Sequence, residues 1–389
     1  MCRPPDILMV YLLNTTIATV INVVYLLTLI FLMVCIILFF TFKKLYIRTS
    51  TMAVVMTLGI VTQGVLLNYF GIQFFQHIFG KILSIINLSL WFAFILSFII
   101  ASLDGKFKDI HYSNLINRFG IGTWVAGTSI NGILFYKQFF QWGFISVIIA
   151  VINIVLWIIY IGISVKTFLE ISRTKSYRNV HGILLLTTVS TQSIVLLLNN
   201  VFKDLPVIIN LSLLLIGFCF YLVCVFLIIY RYIQSSWSIE SDWNNTNCIL
   251  HGALSISGIA CLVTGLISID TIRLIWRAAL IIFITVESIE IYRLFKRIQH
   301  YGFKKAIFIY DVTQWSRVFT FAMFYTLTSL IHTHLFIGSI VIDTILNAGV
   351  WVVLILLMFE LMLCFSDFLK ATKQSSRQIS KENKVSSPF

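Results

Sequence analysis

The sequence has 389 residues, of which 59% are hydrophobic and only 11% are charged, and its mean hydropathy is +0.97. A soluble protein of this length needs far more polar surface, so the composition excludes a water-soluble globular protein and indicates an integral membrane protein. The formal net charge of +13 comes from short basic clusters between apolar segments, a pattern typical of membrane topology rather than of nucleic-acid binding.

The first apolar segment lies at roughly residues 8–42. It is longer than the apolar stretch of a cleaved secretory signal, and it lacks a small-residue cleavage site. We therefore expect residues 1–42 to hold an extra N-terminal transmembrane helix.

Ten further apolar runs follow, each of the length that crosses a bilayer as a helix. They predict spans near 51–70, 82–103, 119–138, 141–165, 182–202, 206–232, 247–268, 271–292, 316–336 and 338–367. Short and long connections alternate, so the spans form five hairpins. We expect an all-α integral membrane domain of ten helices at residues 43–368, followed by a polar, disordered cytoplasmic tail at residues 369–389.

The basic residues test this count of spans. Of the 28 Lys and Arg residues, 22 fall in alternate connections and the tail, and six fall on the other side. Because basic residues concentrate on the cytoplasmic side of a membrane, we expect a multi-pass plasma-membrane protein with its N-terminus outside and its C-terminus in the cytoplasm.

The first helix of each hairpin is rich in Gly, Ser, Thr, Asn and Gln, whereas the second is more uniformly apolar. At 100° per residue the small and polar positions form stripes. In chain order these positions are Thr57, Gly64 and Asn68; Gly120, Thr123, Gly127 and Asn131; Thr187, Ser190 and Thr191; His251, Ser255 and Gly258; and Thr320 and Thr328.

Two interpretations of these stripes compete. Small and hydroxyl-bearing residues let membrane helices pack closely, or else the five striped helices surround a central pore. Because the pattern recurs on the first helix of every hairpin, we favour pore-lining residues.

A pore of this kind would carry almost no fixed charge, while its cytoplasmic rim, which includes Arg317, would be basic. Such a passage raises the local anion concentration without trapping the anion, which favours small inorganic or organic anions as partners. No nucleophile triad, phosphate loop or metal motif is present in the sequence, so we expect no enzyme activity, no cofactor and no metal. A membrane sensor or intramembrane enzyme remains a distant alternative.

Two titratable residues inside the predicted spans have alternative interpretations. Glu287 either pairs with a basic group on a neighbouring helix or carries a proton in coupled transport. His251 is either a buried, hydrogen-bonded histidine or a pH-sensing pore residue.

Five segments carry a family resemblance: FGIGTWVAGTSI, GILLLTTVSTQSIVLL, GFCFYLVCVFLIIYR, NCILHGALSISGIA and YDVTQWSRVFTFAMFY. In this order and spacing they resemble the tellurite-resistance/dicarboxylate transporter (TehA-like) family, which includes the plant guard-cell slow anion channels. The similarity runs over roughly residues 50–368. It implies five hairpins around a central pore, a homotrimer, and an aromatic gate from a phenylalanine on the ninth helix. It also implies passage of chloride or nitrate, or, as an alternative, proton-coupled export of dicarboxylate, sulfite or tellurite.

Residues 314–326 of the ninth helix offer three phenylalanines for such a gate. Relative to Thr320, Phe324 lies at about 40° and Phe321 at about 100°, on a face that also holds Arg317, whereas Phe319 lies on the opposite, apolar face. We therefore expect Phe321 or Phe324 to be the pore gate and Phe319 to be packing, and the FTF pattern of the family favours Phe321.

Overall fold

The computed structural model describes the backbone of residues 4–202, 204–234, 236–334 and 340–385. Every regular element in these ranges is a helix. The helices, in chain order, are α1 Pro4–Lys43, α2 Ala53–Ile60, α3 Leu67–Gln76, α4 Ile78–Leu103, α5 Gly122–Gln138, α6 Gly143–Thr174, α7 Leu186–Val201, α8 Val207–Gln234, α9 Ile249–Thr264, α10 Ile269–Tyr301, α11 Phe303–Ile307, α12 Trp315–Ile331 and α13 Ile340–Val385.

The first helix of each hairpin, which we call an inner helix, lies in a closed ring. α2 contacts α5, α5 contacts α7, α7 contacts α9, α9 contacts α12, and α12 returns to contact α2. The second helices, α4, α6, α8, α10 and α13, lie outside this ring. The ten helices of the five hairpins therefore form two concentric layers.

Burial separates the two layers as their compositions predict. In the most apolar stretch of the spans that contain α2, α7 and α9, 78–89% of residues are buried, against 28–39% for α4, α6, α8 and α13. The exposed side chains of the outer helices are large and apolar, as a surface in contact with lipid requires. The prediction of an all-α membrane protein is confirmed.

Every inner helix begins with a 3₁₀ turn. These five turns are Thr49–Met52, Asn117–Ile121, Gly182–Leu185, Asn245–Cys248 and Val312–Gln314. A sixth irregularity is the π-helical segment Val61–Leu66, which joins α2 to α3. It inserts an extra residue into the first inner helix and so distorts that helix without a proline.

Two elements extend beyond their predicted ends. α10 continues to Tyr301 and is followed by the short α11. α13 runs on to Val385, so the tail that we expected to be disordered is helical as far as that residue. No Gly or Pro interrupts residues 369–385, and the preceding span supplies the helix nucleus, so propagation costs little.

The extra helix α1 lies outside the hairpins and packs against α4. Leu29 of α1 joins a small apolar cluster with Phe75, Leu88 and Leu134. The rest of its described surface is largely exposed, as expected for a helix at the lipid boundary.

Candidate functional site: the ring of inner helices and the charged cluster beside it

The five inner helices run in the same direction, so their N-termini meet at one end of the ring. The five 3₁₀ turns contact one another in the same cyclic order as the helices that they begin. A helix N-terminus carries a partial positive charge because its first N–H groups have no partner within the helix. This end of the ring, which we call the basic mouth, also receives the connections that carry Lys106, Lys108, Arg178 and Lys304.

Most of the predicted pore-lining residues contact other helices instead of the centre of the ring. Thr57 donates a hydrogen bond to the carbonyl of Trp315 on α12, at 3.1 Å. Thr187 lies 3.5 Å from Cys224 Sγ on α8, and Thr191 accepts a hydrogen bond from Trp157 on α6. Thr328 accepts one from Trp276 on α10. These side chains hold neighbouring helices together.

The small residues of the stripes also lie at helix contacts. A Cβ at Gly64 would meet Thr326, one at Gly120 would meet Ser50, one at Gly127 would meet Met52, and one at Gly258 would meet Leu327. Thr123, Ser190, Ser255 and Thr320 donate to carbonyls of their own helix or of the turn that begins it, and exposed Asn68 does the same. Asn131 is bonded to Asn87 of α4. The placement therefore agrees with the close-packing interpretation of the stripes.

The phenylalanine side chains of α12 do not lie where the sequence predicts. Phe321 and Phe324 both pack on Phe283 of the outer helix α10, with ring centroids 4.7 and 5.2 Å apart. These two side chains therefore lie on the outer side of α12, away from the ring interior. The helical angles had grouped them correctly on one face, but that face contacts α10.

The opposite face of α12 points into the ring. Thr326 lies against Gly64 of the α2–α3 segment, and Leu327 lies against Gly258 of α9. At 100° per residue, Phe319 and Met323 fall between these two contacts, and Phe321 lies about 200° from Phe319. Phe319 is therefore the phenylalanine of α12 that faces the interior, the position that we predicted for Phe321 or Phe324.

A charged cluster joins α9, α10 and α12 outside the ring. Arg317 Nη2 lies 2.9 Å from Glu290 Oε1, and Arg317 Nε lies 3.5 Å from Glu287 Oε2. On its other side Glu287 approaches His251 Nε2, with Oε1 at 3.7 Å. Glu290 also accepts a hydrogen bond from Trp243 at 2.9 Å. Glu287 is thus paired with basic groups on neighbouring helices, and Arg317 lies within the cluster instead of on the open rim.

A closed ring of helices inside a lipid-facing layer, with one positively charged mouth, is the architecture of a membrane channel or transporter. Residues 46–365 match the model of the voltage-dependent anion channel family. Because the match spans most of the sequence, the chain belongs to this family, whose members move anions across membranes. The resemblance found in the sequence is thereby confirmed. No curated protein matches the chain.

Proposed function

We propose that the protein is a channel that conducts small inorganic or organic anions through the ring of inner helices. The observation that carries this proposal is the ring of five 3₁₀ turns, which brings the N-termini of the inner helices together at the basic mouth. Each helix end is equivalent to roughly half a positive charge. The summed field attracts anions to the mouth and repels cations.

The constriction of the channel is Phe319, with Met323 one turn further along α12. Both side chains are buried and face the ring interior. An apolar constriction excludes water and ions until it moves aside. The absence of a fixed charge among the residues that we assign to this level lets an anion leave as readily as it enters.

A second candidate function is proton-coupled export of a dicarboxylate, sulfite or tellurite. The observation that favours it is the pair of His251 and Glu287, in which an inner helix and an outer helix share two titratable groups 3.7 Å apart. A proton on this pair changes the charge next to Arg317, two residues before Phe319.

Flux from reconstituted liposomes separates the two functions. We expect chloride, nitrate, sulfite and malate, tested one at a time, to include at least one anion that moves when only a voltage is applied. A flux that requires a proton gradient supports the exporter instead. If no anion moves under either condition, both functions are wrong.

The assembly and location follow from the family resemblance and the charge bias. We propose a homotrimer in the plasma membrane, with the N-terminus outside. Light scattering of the detergent-solubilised protein gives the number of copies. Accessibility of a cysteine introduced at Lys384, in intact and in permeabilised cells, tests the side on which the C-terminus lies.

A further inference from the structure

A crevice of about 520 Å³ lies between α10, α12 and α13. It is on the opposite side of α12 from Phe319, and so it is separate from the proposed anion path. Its lining includes apolar side chains, among them Phe283, Phe321 and Val352, together with three glutamates and three arginines. Ile291 of α10 and Val352 of α13, at its edges, are exposed, so the crevice opens towards lipid.

Two residues of opposite charge in this crevice form no ion pair with the described residues. Glu360 of α13 is only 5% exposed, and its Oε1 has no hydrogen-bond partner in the described part of the chain. Arg297 of α10 lines the same crevice and forms no ion pair there either. By contrast, Glu287 and Glu290 are both engaged by Arg317.

Glu360 is a buried carboxylate without an ion pair, whereas Arg297 is half-buried. Because an unpaired buried charge is costly, the site is incomplete without a group that complements Glu360. Glu287, Glu290 and Glu360 balance Arg293, Arg297 and Arg317, and the lining has no net charge. A simple anion or a simple cation would satisfy one unpaired residue and be repelled by the other. A zwitterion with its two charges separated satisfies both.

We propose that this crevice binds the headgroup of an aminophospholipid. The primary ammonium lies against Glu360, the phosphate lies against Arg297, and the acyl chains run along the exposed apolar surface at Ile291 and Leu294. A primary ammonium donates hydrogen bonds to the Glu360 carboxylate, whereas a trimethylated choline cannot. The site therefore distinguishes phosphatidylethanolamine from phosphatidylcholine.

Native mass spectrometry of the delipidated full-length protein tests the proposal. Phosphatidylethanolamine, phosphatidylcholine and phosphatidylglycerol with identical acyl chains are titrated separately. Charge-assisted hydrogen bonds are strong enough that we expect about tenfold tighter binding of the ethanolamine lipid than of the choline lipid. Equal binding of the ethanolamine and choline lipids to the unaltered protein, or a preference for the glycerol lipid, overturns the proposal.

Two variants assign the contacts. Glu360→Gln should remove the preference for ethanolamine over choline, and Arg297→Gln should weaken both lipids to a similar extent. Asp367→Asn on the exposed side of α13, and Lys296→Gln next to Arg297, are the matched controls and should bind as the unaltered protein does. A Glu360→Gln protein that keeps the full preference also overturns the proposal.

Discussion

Arg317 and its two glutamates form an ion-paired cluster inside a membrane domain. Arg317 lies on α12 and bridges Glu287 and Glu290, both of which lie on α10. Removing one member of a buried charge pair leaves the others uncompensated, and this is far more damaging than the pair is stabilising. Arg317 therefore fixes the start of α12, the helix that carries Phe319.

We expect Arg317→Gln to lower the free energy of unfolding by about 3–5 kcal/mol. Denaturant titration of the detergent-solubilised protein, or its thermal midpoint, provides the measurement. Arg277→Gln, at an exposed position on the same outer layer, should change little. Equal stability of the two variants would mean that the cluster is not an interacting unit.

His111 gives the fold a dependence on pH. It lies in the connection between α4 and α5, where its Nδ1 is 3.0 Å from Thr49 Oγ1, and burial lowers its pKa to about 4. The unfolded chain binds a proton near pH 6.5, and the folded chain does so only near pH 4, so stability is complete above pH 6.5 and falls as the pH drops towards 4. His181, whose pKa burial also lowers to about 4, acts in the same direction.

We expect His111→Gln to reduce the loss of thermal stability between pH 7 and pH 5. His181 is expected to contribute to the loss that remains. Melting curves at both pH values measure the effect, with His300→Gln, at an exposed position of α10, as the control. An unchanged pH dependence in His111→Gln would contradict the assignment.

An acidic side chain deep in a span is costly, so the sequence singled out Glu287 and left two roles open for it, a basic partner or a proton in coupled transport. The structure shows the basic partner, Arg317. The sequence favoured Phe321 or Phe324 as the gate and assigned Phe319 to packing, whereas the contacts of α12 place Phe319 towards the ring interior. Periodicity sorts residues into faces, but which face meets the ring interior depends on where α2, α9 and α10 lie around α12.

The outer helices are tied to the ring by a recurring hydrogen bond. In three places a tryptophan of an outer helix donates its indole N–H to a threonine on the inner helix of the next hairpin: Trp91 to Thr128, Trp157 to Thr191 and Trp276 to Thr328. At the junction of α8 and α9, Tyr221 donates to the carbonyl of Leu250. Four of the five junctions between neighbouring hairpins thus have a hydrogen bond from an aromatic side chain of the outer helix to the next inner helix.

Trp157→Phe removes one of these bonds and should cost about 1 kcal/mol of stability or somewhat more, because the smaller ring also leaves space. The control is Trp351→Phe, at an exposed position of α13. It makes the same replacement of tryptophan by phenylalanine but removes no such hydrogen bond. The comparison is made by thermal unfolding. If Trp351→Phe is the more damaging change, the bond to Thr191 has no special role.

Close approach of α9 and α12 depends on Gly252, since a Cβ there would overlap Thr320. Gly252→Ala should therefore destabilise the protein by about 1–3 kcal/mol, the usual cost of overpacking. Gly162→Ala, where a Cβ meets nothing within 4 Å, should leave stability unchanged or raise it by up to about 1 kcal/mol. The thermal midpoint of Gly252→Ala should thus fall while that of Gly162→Ala stays the same or rises, and a similar fall in both variants would contradict the packing described for α9 and α12.

The helices of the five hairpins could be predicted from the sequence, since the length and hydropathy of each span are set by the bilayer. The connections between them are less constrained. Short α11 and the continuation of α10 to Tyr301 were missed because these segments are amphipathic or polar and fall outside any apolar run.

For the whole molecule, the composition of the helices predicts which of them are inner and which are outer. It does not reveal why the inner helices are rich in small and polar residues. Gly, Ser and Thr concentrate on the inner helices largely because those helices have neighbours on all sides and must pack closely. The two α12 residues that we place towards the ring interior, Phe319 and Met323, are apolar instead. A single sequence cannot separate these uses, because small polar residues serve packing and pore lining equally well.

Anion flux through Phe319→Ala liposomes, compared with Phe321→Ala and the unaltered protein, tests the central claim most directly. If anions pass through the ring and Phe319 is the constriction, Phe319→Ala should raise voltage-driven flux by about tenfold or more, since an apolar barrier is removed. Phe321→Ala should stay close to the unaltered protein because its side chain packs on Phe283 outside the ring. An increase in Phe321→Ala with none in Phe319→Ala would contradict the account and place the anion path on the other side of α12.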